Sequence, residues 1–263
     1  MTSEEDHGGV LLRRADGVAT LVLNEPERRN PMSPAIMQGL ESACDEIEAD
    51  DEVRVVVLTG AGSVFCAGGD LRYNDEHFAA PPTEIERFLT GLYRPFLRIL
   101  DLPMPTVAAV NGPAVGGGFA MILLCDLRVA VDTAVLRPAF ASLGFVPGMG
   151  FTYSLPAHVG RATAAEILFA DRSLHADEAL ELGLLNRVVS AAEFDHVVAE
   201  LTGAIEENGG DANRAIKRLL TDDYRDGLRD QLRREIPAQV ASAVGDEYRE
   251  RRARITGRVG RAD

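Results

Sequence analysis

Hydrophobic positions along the chain keep two rhythms: short apolar runs in the first half and helical spacing in the second. Val18–Leu23 is rich in β-branched and aliphatic residues and stops at Asn24-Glu25-Pro26, which predicts a strand. Ser33-Pro34 reads as an N-cap with proline at the first helical position. Ile36, Leu40, Cys44 and Ile47 then recur on one helical face. The apolar runs 53–58 and 105–110 have the character of strands buried on both faces. Residues 72–82 are polar and end in Pro81-Pro82, which predicts a mobile loop before a helix over 83–100. Residues 116–125 begin as a glycine turn and continue as an apolar helix, and Leu127–Val131 is a further strand. Beyond about residue 150 the spacing predicts helices near 161–170, 176–183, 191–207, 211–220 and 224–253, with a frayed tail from Thr256. The expectation is an α/β (α+β) fold with a core over 1–190 and a helical C-terminal region over 191–263.

Composition narrows the function. The 263 residues suffice for a large core without disulfides or a metal. A net charge of −14 repels phosphates, so neither nucleic acid nor an anionic membrane is expected as a partner. Cys44, Cys66 and Cys125 form no CxxC pair, which suggests neither a disulfide framework nor a zinc site. The acidic residues 1–9 do not read as a signal peptide, and the apolar run 119–125 is too short to span a bilayer. A cytoplasmic protein is expected. Lysine occurs once, at Lys217, which removes lysine from most catalytic schemes.

Two glycine clusters follow buried strands. One is Phe65-Cys-Ala-Gly-Gly-Asp70; the other is Asn111-Gly-Pro-Ala-Val-Gly-Gly-Gly118, which opens a helix. For either cluster alone, a tight turn is the simpler reading. Together they can aim two backbone N–H groups at one oxygen, because glycine lets the backbone approach and a helix start has unpaired donors. Such a pair suits a thioester carbonyl becoming an enolate, each donor contributing on the order of 3 kcal/mol to the transition state. No GxGxxG, GxxxxGK[ST] or GxSxG pattern occurs, so phosphate-loop and serine-hydrolase readings have no support.

These clusters, with Glu27-Arg-Arg-Asn-Pro-Met32, Cys125-Asp126, Leu143-Gly-Phe-Val-Pro-Gly148, Glu178-Ala-Leu-Glu-Leu-Gly-Leu-Leu-Asn186 and Ala215-Ile-Lys-Arg-Leu-Leu220, resemble the crotonase (enoyl-CoA hydratase/isomerase) superfamily in order and spacing. The resemblance covers about residues 10–255. It implies a spiral of ββα units and a helical trimerisation region, assembled as a homotrimer or a dimer of trimers. It implies an acyl-CoA or acyl-carrier-protein thioester as ligand, with no separate cofactor and no metal. It assigns the oxyanion donors to the amides of Gly69 and Gly117. Ala67, Asp70 and Leu71 would line the adenine pocket, and Arg28 or Arg29 would lie near the CoA phosphates. Phe140 would face the substrate.

The resemblance breaks at the proton-transfer positions. Family hydratases carry glutamates where this chain has Ala120 and Phe140, and isomerases and some dehalogenases carry a carboxylate where it has Gly148. None of these three can move a proton, a contribution typically worth ~10²–10⁴-fold. A poor hydratase is therefore expected. The stretch from Ala139 to Tyr153 also resembles polyketide β-branching decarboxylases, but their lysine and histidine are not matched: Lys217 lies in a late helix and Ala243 falls about where the histidine would be. An enzyme acting through an enolate and a noncatalytic acyl-CoA binder both remain open. His77 reads as solvent-exposed, His158, His175 and His196 as structural, Tyr153 as core packing and Cys66 as a small buried filler.

Overall fold

The computed structural model describes residues 3–259. Strands β1 (Ser3–Asp6), β2 (Val10–Ala15) and β3 (Val18–Leu23) pair antiparallel. Helix α1 (Pro34–Ala49), β4 (Val55–Gly60), α2 (Leu71–Phe78) and α3 (Pro82–Asp101) follow. Next come β5 (Thr106–Val110), β6 (Ala114–Val115), α4 (Gly117–Ile122), β7 (Leu127–Val131) and β8 (Val135–Arg137). The rest comprises α5 (Phe151–Phe169), β9 (Leu174–His175), α6 (Ala176–Glu181), β10 (Arg187–Val189), α7 (Phe194–Glu207), α8 (Gly210–Ala243) and α9 (Asp246–Val259). The main sheet runs β1-β2-β3-β4-β5-β7-β10, parallel from β3 onward, and β6-β8-β9 form a small second sheet. This is the mixed α/β architecture expected, with only helices after β10. Among the described residues no helix is long and apolar enough to cross a membrane.

Most expected elements form for the expected reasons. Ser33 Oγ accepts the Ile36 amide at 3.2 Å, and Ile36, Leu40, Cys44 and Ile47 are fully buried against the sheet. Every residue of β5 is buried, as its unbroken apolar run requires. Three expectations need correction. The polar segment 72–82 is not a loop: α2 fills most of it, because Asp70 Oδ1 caps the Arg72 and Tyr73 amides and Phe78 is buried. The helices expected at 211–220 and 224–253 are one helix, α8, and the break falls instead at Val244–Gly245. The helix expected from 161 already begins at Phe151 and kinks at Gly160. At the other end, α9 carries the helix past Thr256 to Val259, and the rest of the expected frayed tail lies outside the described residues.

Polar groups tie the helical region to the sheet. Lys217 of α8 is buried, with Nζ 2.9 Å from Asp126 Oδ2 and donating to Met104 O at 3.0 Å. The same carboxylate accepts the Thr106 amide at 2.7 Å, so α8 is fastened to the start of β5. His158 of α5 donates from Nδ1 to Ser154 O at 2.8 Å, since a carbonyl can only accept. Burial, aided by the Arg128 charge, lowers its pKa below the ordinary 6.5.

Lys217→Met is expected to lower the unfolding free energy by about 3 kcal/mol, because it strands a partly buried carboxylate; urea titration measures it. His158 makes the protein acid-sensitive. The unfolded chain binds a proton below pH 6.5 that the native state refuses, so stability falls as pH drops from there until native His158 also protonates. In His158→Gln the unfolding midpoint should depend less on pH in that window.

Candidate active site

Adjacent parallel strands bring the two glycine clusters together. β4 and β5 pair over Val56–Leu58 and Thr106–Ala108, so the loops that leave their C-terminal ends start as neighbours. Two asparagine clamps, one buried and one half-buried, hold the first loop. Asn30 donates from Nδ2 to Ala61 O and Val64 O at 2.9 and 2.8 Å. Asn111 donates to Gly60 O and Gly62 O at 2.8 and 2.9 Å and accepts the Gly60 amide at 3.1 Å. The loops then join directly: Val115 N donates to Cys66 O at 2.9 Å, and Cys66 and Ala114 form a parallel bridge. Gly68 has φ +87, and a Cβ there would lie 2.5 Å from Val115 O and 3.4 Å from the Gly117 amide nitrogen. Only glycine permits this approach, which brings the Gly69 and Gly117 region to one spot. Among the described residues neither the Gly69 nor the Gly117 amide has a hydrogen-bond acceptor.

Gly69 and Gly117 line a cavity of about 260 Å³, together with Ala67, Leu71 and Phe140. Phe78, Phe145 and Tyr248 form an aromatic wall, with ring centroids 5.3–5.7 Å apart. Tyr248 comes from α9 and reaches Asp75 Oδ1 of α2 at 3.3 Å, while Arg252 pairs with the same carboxylate at 2.9 Å. The C-terminal helix therefore covers this side of the cavity. No carboxylate, histidine, lysine or cysteine lines it among the described residues.

Each of the three positions to which the resemblance assigns proton transfer is filled apolar or closed. Ala120 is buried in α4 and does not reach the cavity wall. Phe140 lines the cavity, its ring centroid 5.9 Å from that of Phe151. At Gly148 a Cβ would lie 2.3 Å from Gln239 Nε2 and 2.4 Å from Tyr93 Oη. Tyr93 and Gln239 thus occupy the space that a side chain at 148 would need. Gln239 Nε2 donates to Tyr93 Oη at 2.8 Å and to Val146 O at 3.1 Å. Burial pushes the Tyr93 phenol well up, so it stays protonated at any physiological pH. One helical turn earlier on α8, buried Glu235 accepts the Gly150 and Thr152 amides at 2.7 and 2.8 Å. It caps α5 from outside and holds the Gly148–Gly150 wall; its pKa is raised by burial, against the opposing Thr152 and Gly150 hydrogen bonds.

The remaining sequence candidates lie elsewhere. Asp70 does not line the cavity; it caps α2, and its Oδ2 accepts Arg28 Nη2 at 2.5 Å. Arg29 is exposed, and its carbonyl accepts the Ala67 amide at 2.9 Å. His77 is half-buried rather than exposed, stacked on Phe88 at 4.1 Å. Burial pushes the Cys66 thiol up to about 12, consistent with an inert filler. Sequence reasoning missed Tyr93, Asn74 and Tyr248, which line the cavity, and Gln239 behind it. Asn74 stands beside Gly69, with Nδ2 2.9 Å from where a Cβ would be, and its Oδ1 is buried without a partner. Tyr93 and Gln239 are 146 positions apart, so no local signal could pair them.

Residues 13–254 match the family model described as enoyl-CoA hydratase/isomerase. The chain is 35% identical over 257 residues to 4-chlorobenzoyl coenzyme A dehalogenase-2 from Arthrobacter sp., covering 96% of this chain and 92% of that one. It is 39% identical over 216 residues to a putative enoyl-CoA hydratase from Thermus thermophilus, covering 82% and 85%. A crystal structure of an enoyl-CoA hydratase/isomerase from Xanthobacter autotrophicus superposes with a TM-score of 0.87 at 27% identity, over 98% of this chain and 100% of that one.

Gly148→Asp should not install a working carboxylate. Its Cβ collides with Tyr93 and Gln239, so the variant is expected to lose about 2 kcal/mol of stability and to gain no new activity. Thermal unfolding and turnover assays on the purified variant check both.

Proposed function

The chain belongs to the enoyl-CoA hydratase/isomerase (crotonase) family and is an acyl-CoA-processing enzyme; on that premise we propose that it stabilises the enolate of an acyl thioester without activating water. The observation that carries this reading is two acceptor-free amides, Gly69 and Gly117, on a cavity lined by no carboxylate. An enolate oxygen placed between them would receive two fixed hydrogen bonds, each worth on the order of 3 kcal/mol at the transition state. Hydration additionally needs a group that deprotonates water and one that protonates carbon, and the apolar Ala120 and Phe140 offer neither.

Decarboxylation and double-bond migration both suit such a site. In decarboxylation the C–C bond to the carboxylate breaks, its electron pair enters the thioester as an enolate, and a proton then returns to the α-carbon. In migration a C–H bond beside the double bond breaks, its proton leaving to solvent base because the cavity offers no carboxylate or histidine among the described residues, and the resulting dienolate takes a proton back from solvent at a different carbon. A halide displacement of the kind named for the Arthrobacter relative is disfavoured, because the position assigned to the dehalogenase carboxylate is the closed Gly148. The polar residues Tyr93 and Asn74 on the cavity wall favour an enzyme over a purely passive binder. The exposed apolar side chains Phe169, Ile216, Leu219 and Leu220 support self-association, for which a trimer or a dimer of trimers is the family expectation.

Purified protein incubated with crotonyl-, 3-enoyl- and glutaconyl-CoA is expected to give loss of CO₂ or an isomer of unchanged mass. Hydration of crotonyl-CoA at ordinary hydratase rates, read as a mass gain of water, would overturn the proposal.

A further inference from the structure

Tyr93 is a phenol set into an otherwise apolar helix face. Its neighbours on that face of α3, Leu89, Leu92 and Phe96, are buried hydrocarbons. Tyr93 is itself only 6% exposed, yet it lines the cavity. A buried hydroxyl needs a partner, and Gln239 on α8 supplies one. The orientation of that amide is set by its third contact. Val146 O can only accept, so the Gln239 atom 3.1 Å from it is Nε2. One Nε2 hydrogen goes to Val146 O and the other to Tyr93 Oη at 2.8 Å. Tyr93 Oη is therefore an acceptor toward Gln239, and its own proton remains to be used.

Among the described residues that proton has one acceptor in reach, Gln239 Oε1 at 3.1 Å, on the same amide that already donates to the hydroxyl. A side-on amide cannot serve one hydroxyl well as donor and acceptor at once. Rotation of the hydroxyl about its C–O bond instead turns the proton to the cavity without moving a heavy atom. At Gly148 a Cβ would lie 2.4 Å from Oη, so any larger residue there would crowd the hydroxyl. Gln239 is fully buried beside the phenol and braces it, and Tyr93 lines the cavity from that position.

We propose that Tyr93, braced by Gln239, is a specificity-determining residue whose hydroxyl donates a hydrogen bond to an oxygen on the acyl chain beyond the thioester carbonyl. The ligand class is an acyl thioester carrying a carbonyl or carboxylate oxygen, rather than a plain hydrocarbon acyl group. This rests on the acyl-thioester reading of the same cavity. A hydrocarbon chain would leave the turned hydroxyl without an acceptor, whereas an oxygenated chain supplies one.

The test measures binding by calorimetry of pentanoyl-CoA, 3-oxopentanoyl-CoA and 4-oxopentanoyl-CoA to the full-length protein. At least one oxo ligand is expected to bind about tenfold more tightly than pentanoyl-CoA, the size of one good hydrogen bond. In Tyr93→Phe that ratio should fall to near one, and in Gln239→Met, which keeps the phenol but removes its brace, to an intermediate value. Circular dichroism establishes that the variants are folded; should Tyr93→Phe not fold, the Gln239→Met ratio decides. An equal affinity of the wild type for all three ligands, or a preference that survives both substitutions, would sink the inference while leaving the acyl-thioester reading intact. Failure of the wild type to bind any of the three would overturn that reading and the inference with it.

Discussion

The union of two loops is the constraint on which the rest of the molecule depends. Neighbouring parallel strands in a sheet lie about 4.8 Å apart, so loops leaving their C-terminal ends must run side by side. Here the loops after β4 and β5 bond to each other through Cys66, Pro113 and Val115. Asn30 and Asn111 satisfy the carbonyls that such a turn would otherwise leave unpaired. Among the described residues the amides of Gly69 and Gly117 have no acceptor, and both residues line one cavity. The arrangement is preorganised: the donors are backbone, and the backbone is pinned from both sides.

Helix α8 connects this cavity to the rest of the protein. Lys217 near one end fastens it to the start of β5, the strand that delivers the second glycine loop. Glu235 and Gln239, one turn apart on the same face, hold the opposite cavity wall through Gly150, Thr152 and Val146. Three buried polar residues on one helix thus set the distance between the two sides of the site. Buried ionic and polar groups are costly unless satisfied, and each of these three has its partners.

The chemistry follows from what the walls omit as much as from what they present. An acceptor-free amide pair stabilises negative charge on oxygen, whatever bond is being made or broken on the adjacent carbon. On the proposed enolate reading, the rest of the cavity would choose among the reactions open to it. With Phe140 and a closed Gly148 on its wall, the polar side chains the cavity presents are those of Asn74, Tyr93, Arg137, Ser142 and Tyr248. The relatives named as a dehalogenase and a putative hydratase illustrate how far chemistry can diverge on one scaffold.

The sequence by itself determined the strands around the core, the two glycine clusters and the family. Each of these is written locally, in apolar runs such as Val18–Leu23 and Leu127–Val131 or in short motifs around Gly69 and Gly117. The residues Ala120, Phe140 and Gly148 can be read off the sequence, but what surrounds Gly148 cannot. The helix α2 was not legible either: its polar composition reads as a loop, and the Asp70 cap and the His77–Phe88 stack that order it depend on packing against α3. That Asp70 and Arg28 pair with each other, 42 positions apart, was likewise decided by the fold. The Tyr93–Gln239 pair was decided wholly by tertiary structure. A hydrogen bond spanning 146 positions leaves no periodicity, and whether Gly148 is an open position or a closed one depends on what two distant helices place against it.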